Sequence, residues 1–214
     1  MSLQAAAAAA PPHRQIVAVV GDNCLVAAAM EPGMAGGDEQ HKQQLAEQVG
    51  RAIVDGQVRQ QQQQQQRRQH TAEQQMQYLL LPLMITASSV MDAAMKGARS
   101  SSRYSEGDTI AVLPGEDPAA ASSHADIVIC TGFGSYRNGV MGRADAVIAV
   151  GGGAGTLQEI CTAWKARRPV VVMAGASGAT SALAGKCIDG RGGPGRRAVL
   201  GAEMAEQAVQ LLQL

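Results

Sequence analysis

The run Ala144-Asp145-Ala146-Val147-Ile148-Ala149-Val150-Gly151-Gly152-Gly153-Ala154-Gly155-Thr156-Leu157-Gln158-Glu159 decides how this chain is read. It starts as an apolar strand, breaks at consecutive glycines and continues as the opening of a helix. A strand that feeds a helix through glycines leaves backbone N–H groups bare where the helix begins. The aligned peptide dipoles add partial positive charge at the same place. Such a turn favours a bound anion, typically a phosphate, so a phosphorylated small molecule is the expected ligand.

The turn is neither of two familiar phosphate loops. The dinucleotide fingerprint needs G-x-G-x-x-G after the first strand and an acidic residue about 20 positions later. Here Gly153 and Gly155 lead to Gln158 instead of a third spaced glycine, and the turn follows a late strand. The lysine of a P-loop is also missing. A tight strand–helix turn with no ligand is the bland alternative.

Outward from this run, strand and helix alternate. Strands are expected at 16–20, 78–83, 109–113, 126–130, 145–150, 169–173 and 198–200. Helices are expected at 38–55, 88–98, 135–143, 156–167, 180–187 and 203–212. The strand cores are nearly continuous apolar runs, as in strands covered on two faces. This order predicts an α/β fold: one parallel sheet of about six to seven strands flanked by helices. Ligands of such sheets sit outside the carboxyl ends of the strands. The loops of interest are therefore 21–24, 84–88, 114–118, 131–138, 151–156 and 174–179.

Length and composition set the outer bounds. A chain of 214 residues with 46% hydrophobic residues fits one domain with a substantial core. Residues 1–14, an alanine run followed by Pro11-Pro12, are expected to be a disordered tail, and 15–214 the ligand-binding domain. Gln60 to Gln66 is an unbroken glutamine run within a wider Gln/Arg stretch at about 57–77. It reads as a low-complexity insertion in a surface connection, or as a polar extension of the preceding helix. Eighteen basic and eighteen acidic residues cancel, and aromatics are only 2%, so a nucleic-acid partner is not expected. The longest apolar run, Tyr78 to Ile85, is too short for a bilayer, so no membrane partner is expected either. Cys24, Cys130, Cys161 and Cys187 form no CxxC pair and no metal-ligand spacing. They read as small buried hydrophobes of a reduced, cytoplasmic protein.

Three further groups of residues carry chemistry. Thr156 and Glu159 stand three apart, the signature of a capping box. Glu159 then either bonds the cap amide or works on a ligand at the mouth. Leu157, Ile160, Cys161 and Trp164 fall at helical spacing and are expected to be the buried face, with Trp164 in the core. The loop Thr131-Gly132-Phe133-Gly134-Ser135-Tyr136-Arg137-Asn138 follows another strand. Arg137 suits a phosphate and Asn138 the edge of a heterocycle. Gly21-Asp22-Asn23-Cys24 closes the first strand and offers Gly21 and Asn23 to the same ligand.

Residues 126–172 resemble a lysine-decarboxylase-like family of Rossmann-like proteins. That family contains the cytokinin-activating "lonely guy" phosphoribohydrolases and the molybdenum cofactor carrier proteins. The resemblance rests on Arg137 and Asn138, on Arg143-Ala144-Asp145-Ala146 and on the run from Gly151 to Glu159. Val90-Met91-Asp92-Ala93-Ala94-Met95-Lys96-Gly97-Ala98 is a looser match. The family's enzymes have Pro-Gly-Gly and two glutamates in the turn, and Arg-Lys on the preceding short helix. Here Gly151 replaces the proline, Gln158 the first glutamate and Asn138 the lysine, while Arg137 and Glu159 are kept. The changes are more similar to the carrier branch. One loop departs from the family: residues 83–89 contain no glycine where relatives have a Thr-Gly-Gly-rich, phosphate-seating loop.

The resemblance implies binding, storage and transfer of the molybdenum cofactor, an anionic phosphorylated pterin, without converting it. Molybdenum enzymes such as nitrate reductase would receive it, and the protein would be a homotetramer. Gly21, Asn23, Thr131, Gly132, Gly134, Arg137, Asn138, Gly151, Gly152, Gly153, Gly155, Thr156 and Glu159 would hold it. The alternative is a nucleoside 5′-monophosphate phosphoribohydrolase with Arg137 and Glu159 as catalytic residues. No metal-binding residue is expected.

Overall fold

A computed structural model describes residues 15–21, 36–67, 78–82, 90–141, 144–189 and 198–212. The expected tail at 1–14, Asn23 and Cys24, the glycine-free loop at 83–89 and the glycine-rich loop at 190–195 lie outside the described residues.

Five parallel strands form the main sheet: β1 (Gln15–Gly21), β2 (Tyr78–Pro82), β5 (Ala146–Val150), β6 (Val170–Met173) and β7 (Leu200–Ala202). Their spatial order is β2-β1-β5-β6-β7. β3 (Ile110–Leu113) and β4 (Ile127–Cys130) pair in parallel as a separate two-stranded sheet, with β3 lying beside β2. The single sheet expected from the sequence is therefore divided. Apolar period alone cannot tell whether a neighbouring strand joins the same ladder.

The helices are α1 (Gly36–Arg67), α2 (Val90–Arg99), α3 (Asn138–Met141), α4 (Ala154–Lys165) and α5 (Ala205–Leu212). The run Gln60 to Gln66 lies inside α1, so here the glutamines prolong a helix. Glutamine is a good helix former, so the run can continue a helix already begun. The helix expected at 180–187 is only a short 3₁₀ turn, Ser181–Leu183. Its alanine and glycine content supplies too little apolar surface to hold a longer one.

Strand alternation sends side chains to two cores. Val17, Val19, Ile148, Val150 and Met173 pack with Leu45, Val49 and Ile53 of α1, with α2 and with α5. Ala18, Val20, Val147, Ala149 and Val172 pack on the other face with Ile160, Ala163 and Trp164 of α4. Helices α1 and α2 cross so closely that a Cβ on Gly97 would meet the Glu47 carbonyl oxygen at 1.9 Å. Asp145 fastens β5 to β1: its carboxylate accepts from the Ile16 amide at 2.8 Å, while its own amide donates to Ile16 O at 2.7 Å.

Strand β4 departs from the two-face expectation. All four of its residues are exposed, and Phe133 and Tyr136 just beyond it are 65% and 88% exposed. Cys130, Cys161 and Cys187 are likewise exposed, not buried.

The strand order fixes where a ligand can enter. The chain leaves β1 for β2 on one side and comes back to β5 on the other. The topological switch point therefore lies at the carboxyl ends of β1 and β5, where a crevice opens in folds of this kind.

Candidate functional site

A cavity of about 470 Å³ opens at that switch point, within the size range of small-molecule sites. Its wall takes Gly21 from the end of β1, Pro114 after β3, and Gly134, Ser135, Arg137 and Asn138 after β4. Gly153, Ala154, Gly155, Thr156, Gln158 and Glu159 close it from the α4 side, and Met91 from α2. Four of the six loops expected to matter thus meet in one place.

The α4 side is shaped by its glycines. Gly151 and Gly152 have φ of +65° and +117°, conformations that side chains resist. A Cβ on Gly152 would also lie 2.3 Å from Thr156 Oγ1. The turn they make aims the start of α4 into the cavity. No side chain caps this helix; Gly153 is its N-cap. The amides of Ala154, Gly155 and Thr156 meet no acceptor among the described residues, the unsatisfied donors expected of a first helical turn. A Cβ on Gly153 or Gly155 would touch nothing within 4 Å, so the approach to these amides is open.

The capping box expected at Thr156 and Glu159 does not form. Thr156 is already inside the helix, and its hydroxyl donates to Gly21 O at 3.2 Å, pinning α4 to β1. Glu159 lies beyond the first turn and cannot reach the cap amide. The buried stripe is also shifted by one position from the expected Leu157, Ile160, Cys161 and Trp164. It runs Thr156, Glu159, Ile160, Ala163 and Trp164, with Cys161 exposed. Trp164 does lie in the core, its indole N–H donating to Asp189 at 3.4 Å. One helical face is therefore core at its far end and cavity wall at its near end.

Across the cavity, a 3₁₀ turn over Gly134–Arg137 and α3 present Arg137 and Asn138. Arg137 is only 6% exposed, and its Nε and Nη1 are buried with no hydrogen-bond partner. Burial lowers its pKa, while the nearby Glu159 raises it. Glu159 is equally buried, and burial pushes its carboxyl up to about 7 against the opposing pull of Arg137. Asn138 Nδ2 donates to Gln158 Oε1 at 3.0 Å, so two neutral amides bridge the wall beside this charged pair. A buried cation with unused donors is costly unless something fills them. With three open amides in the same wall, the arrangement suits an anion.

Several expected site residues fall elsewhere. The Thr131 hydroxyl donates to Leu113 O at 2.6 Å and Gly132 N to Gly115 O at 3.2 Å, so they tie β4 to β3 and do not line the cavity. Gly151 O accepts from the Thr180 hydroxyl at 2.7 Å, and Gly152 bridges to Gly178. These two glycines bend the turn without facing the cavity. Met91, Pro114, Ser135, Ala154 and Gln158 line it without having been assigned to the ligand from sequence. Pro114, Ser135 and Ala154 carried a signal, since each lies in a post-strand loop expected to matter.

The model of the SLOG cluster4 family matches residues 83–209, which hold every described lining residue except Gly21. An uncharacterized protein of Archaeoglobus fulgidus is 42% identical over 77 residues, 36% of this chain. The chain spans about half, 48%, of the length of that curated relative. Among solved structures, the molybdenum cofactor binding protein of the phototrophic bacterium Rippkaea orientalis superposes with a TM-score of 0.62. It is 23% identical, over 94% of this chain and 96% of its own. The molybdenum cofactor carrier protein of Chlamydomonas reinhardtii gives 0.59 at 25% identity, over 94% of this chain and 97% of its own.

Proposed function

The chain belongs to the SLOG cluster4 family, and from that premise we propose that it binds the molybdenum cofactor, stores it and passes it on unchanged. The observation that carries this reading is the cavity's charge pattern: Arg137, buried with Nε and Nη1 unpartnered, lines the same wall as the open amides of Ala154, Gly155 and Thr156. These donors suit the cofactor's phosphate. Asn138 and Gln158 supply amide donors and acceptors for a pterin edge. Gly21, Gly134, Gly153 and Glu159 complete the wall, and Asn23, two positions after Gly21 in sequence, is assigned to the same site. Molybdenum enzymes such as nitrate reductase are the proposed recipients and the cytoplasm the proposed location. Among the described residues no helix is long and apolar enough to cross a membrane.

The exposed strand β4, with Phe133 and Tyr136, supports self-association, because monomers rarely leave such apolar patches bare. We assign the assembly as a homotetramer.

One observation favours a second reading. A carboxyl near 7 beside a ligand cavity is what general acid catalysis at neutral pH uses. Glu159 with Arg137 would then cleave the glycosidic bond of a nucleoside 5′-monophosphate. Two assays separate the readings. Protein loaded with molybdenum cofactor should restore activity to a cofactor-free nitrate reductase, and AMP incubated with the protein should yield no adenine. Base release that Glu159→Gln abolishes, with no restoration, would replace the carrier by the hydrolase.

A further inference from the structure

Two opposite charges share the cavity without joining. Arg137 and Glu159 are each 6% exposed, yet neither an ion pair nor a hydrogen bond connects them. They are the only titratable side chains among the described lining residues. The other described residues lining the cavity with Glu159 are neutral, among them Gly21 from β1, Met91 from α2, Pro114 after β3, Asn138 from α3, and Thr156 and Gln158 from α4 itself.

An anion drawn to the guanidinium and the α4 amides enters this same small space. It engages the cation that partly offsets Glu159 and places a like charge beside the carboxylate. Two negative groups sharing a buried site cannot both stay ionised cheaply, and the carboxyl is the one that can take up a proton. We propose that anion capture at Arg137 is coupled to proton uptake by Glu159, so that the cavity holds its cargo with the carboxyl neutral and lets it go when the carboxyl ionises. This rests on the anion-binding reading of the cavity, and it adds to that reading a release mechanism that needs no chemical change in the cargo. Burial already holds the empty-site carboxyl near 7, so the coupling falls in the physiological range.

Sulfate is the probe of choice, because it stays fully ionised from pH 5 to 9 and any pH dependence belongs to the protein. Calorimetric titrations in two buffers of different ionisation enthalpy count the protons taken up per sulfate bound. We expect affinity to be level below pH 7 and to fall about tenfold per pH unit above it, with uptake approaching one proton at pH 8. In Glu159→Gln, affinity becomes independent of pH and uptake vanishes. Binding without proton uptake in the unaltered protein at pH 8 overturns the coupling while leaving the anion site standing. Uptake that persists in Glu159→Gln also overturns it. No sulfate binding, or binding indifferent to Arg137→Met, overturns the anion site itself and the coupling with it.

Discussion

Two charged clusters in this molecule are built from similar residues and end in opposite states. At the start of β4, Asp126 is surrounded by donors. Arg99 Nη2 reaches Oδ1 at 2.5 Å, and Oδ2 accepts from the Tyr104 hydroxyl and from the amides of Gly107 at 2.9 Å and Thr109 at 3.3 Å. Burial pushes this carboxyl up, but hydrogen bonds from Tyr104, Arg99, Thr109 and Gly107 outweigh it and hold it at about 2. At the switch point Arg137 and Glu159 are buried as well, but the guanidinium donors are unused, and burial prevails in pushing the carboxyl up to about 7. A satisfied cluster fastens the fold. An unsatisfied one stores a cost that a ligand can relieve.

The contrast can be broken at either end. The largest effect is expected at the clamp. Asp126→Ala removes the acceptor shared by Arg99, Tyr104 and two amides, and should lower stability by about 3–4 kcal/mol in urea denaturation, chiefly through the amides and hydroxyl left without an acceptor, with sulfate affinity unchanged. A loss under about 1 kcal/mol would mean the network is decorative.

The pH dependence of stability comes next, and the two carboxyls must act in opposite senses. Asp126 has a folded value below its unfolded 3.8, so its contribution is present above that pH and is lost as pH falls toward about 2. Glu159 has a folded value above its unfolded 4.5, so its contribution is complete below that pH and is lost as pH rises to about 7. The Glu159 change amounts to about 3 kcal/mol. Denaturation midpoints of Glu159→Gln should therefore stay level between pH 5 and 8 where those of the unaltered protein fall. A parallel fall in the two proteins would assign the slope to another group.

Arg137→Met should act on binding instead of on the fold. At pH 6 the neighbouring carboxyl is mostly protonated, and replacing a buried, unpartnered cation by an apolar side chain should leave stability unchanged or raise it by about 1 kcal/mol. Sulfate affinity should drop at least tenfold. Marked destabilisation at pH 6 would show that the guanidinium serves the fold after all. The smallest effect is expected at Gly155, where a methyl group meets open space. Gly155→Ala in the first turn of α4 should stabilise the protein by about 0.5–1 kcal/mol in thermal melts. A loss would mean that the cavity mouth is tighter than its geometry indicates.

Much of the architecture was legible in the sequence because it follows from local rules. Apolar runs of strand length, separated by glycine and helical spacing, are physical requirements of a covered parallel sheet, and seven strands lie close to where they were expected. Expecting a cavity beyond the strand ends required only the alternation of elements. The glycines of 151–155 announced a turn with bare amides for the same reason: no other residue type accepts that backbone so readily. What failed depended on neighbours distant in sequence. The identical apolar pattern gave a fully buried β5 and a fully exposed β4, since exposure depends on which element lies alongside. Thr156 stands where local sequence predicts a cap, but its hydroxyl donates to Gly21 O, 135 positions away in sequence. With α4 starting at Ala154, Glu159 is a buried cavity carboxyl and not a capping group. The sequence by itself thus determined the periodicities and the glycine turn with its bare amides, because these are properties of adjacent residues. Only the tertiary structure decided that Arg137 and Glu159 would be buried together and unjoined, because burial, and the charge state it imposes, is created by packing among elements far apart in the chain.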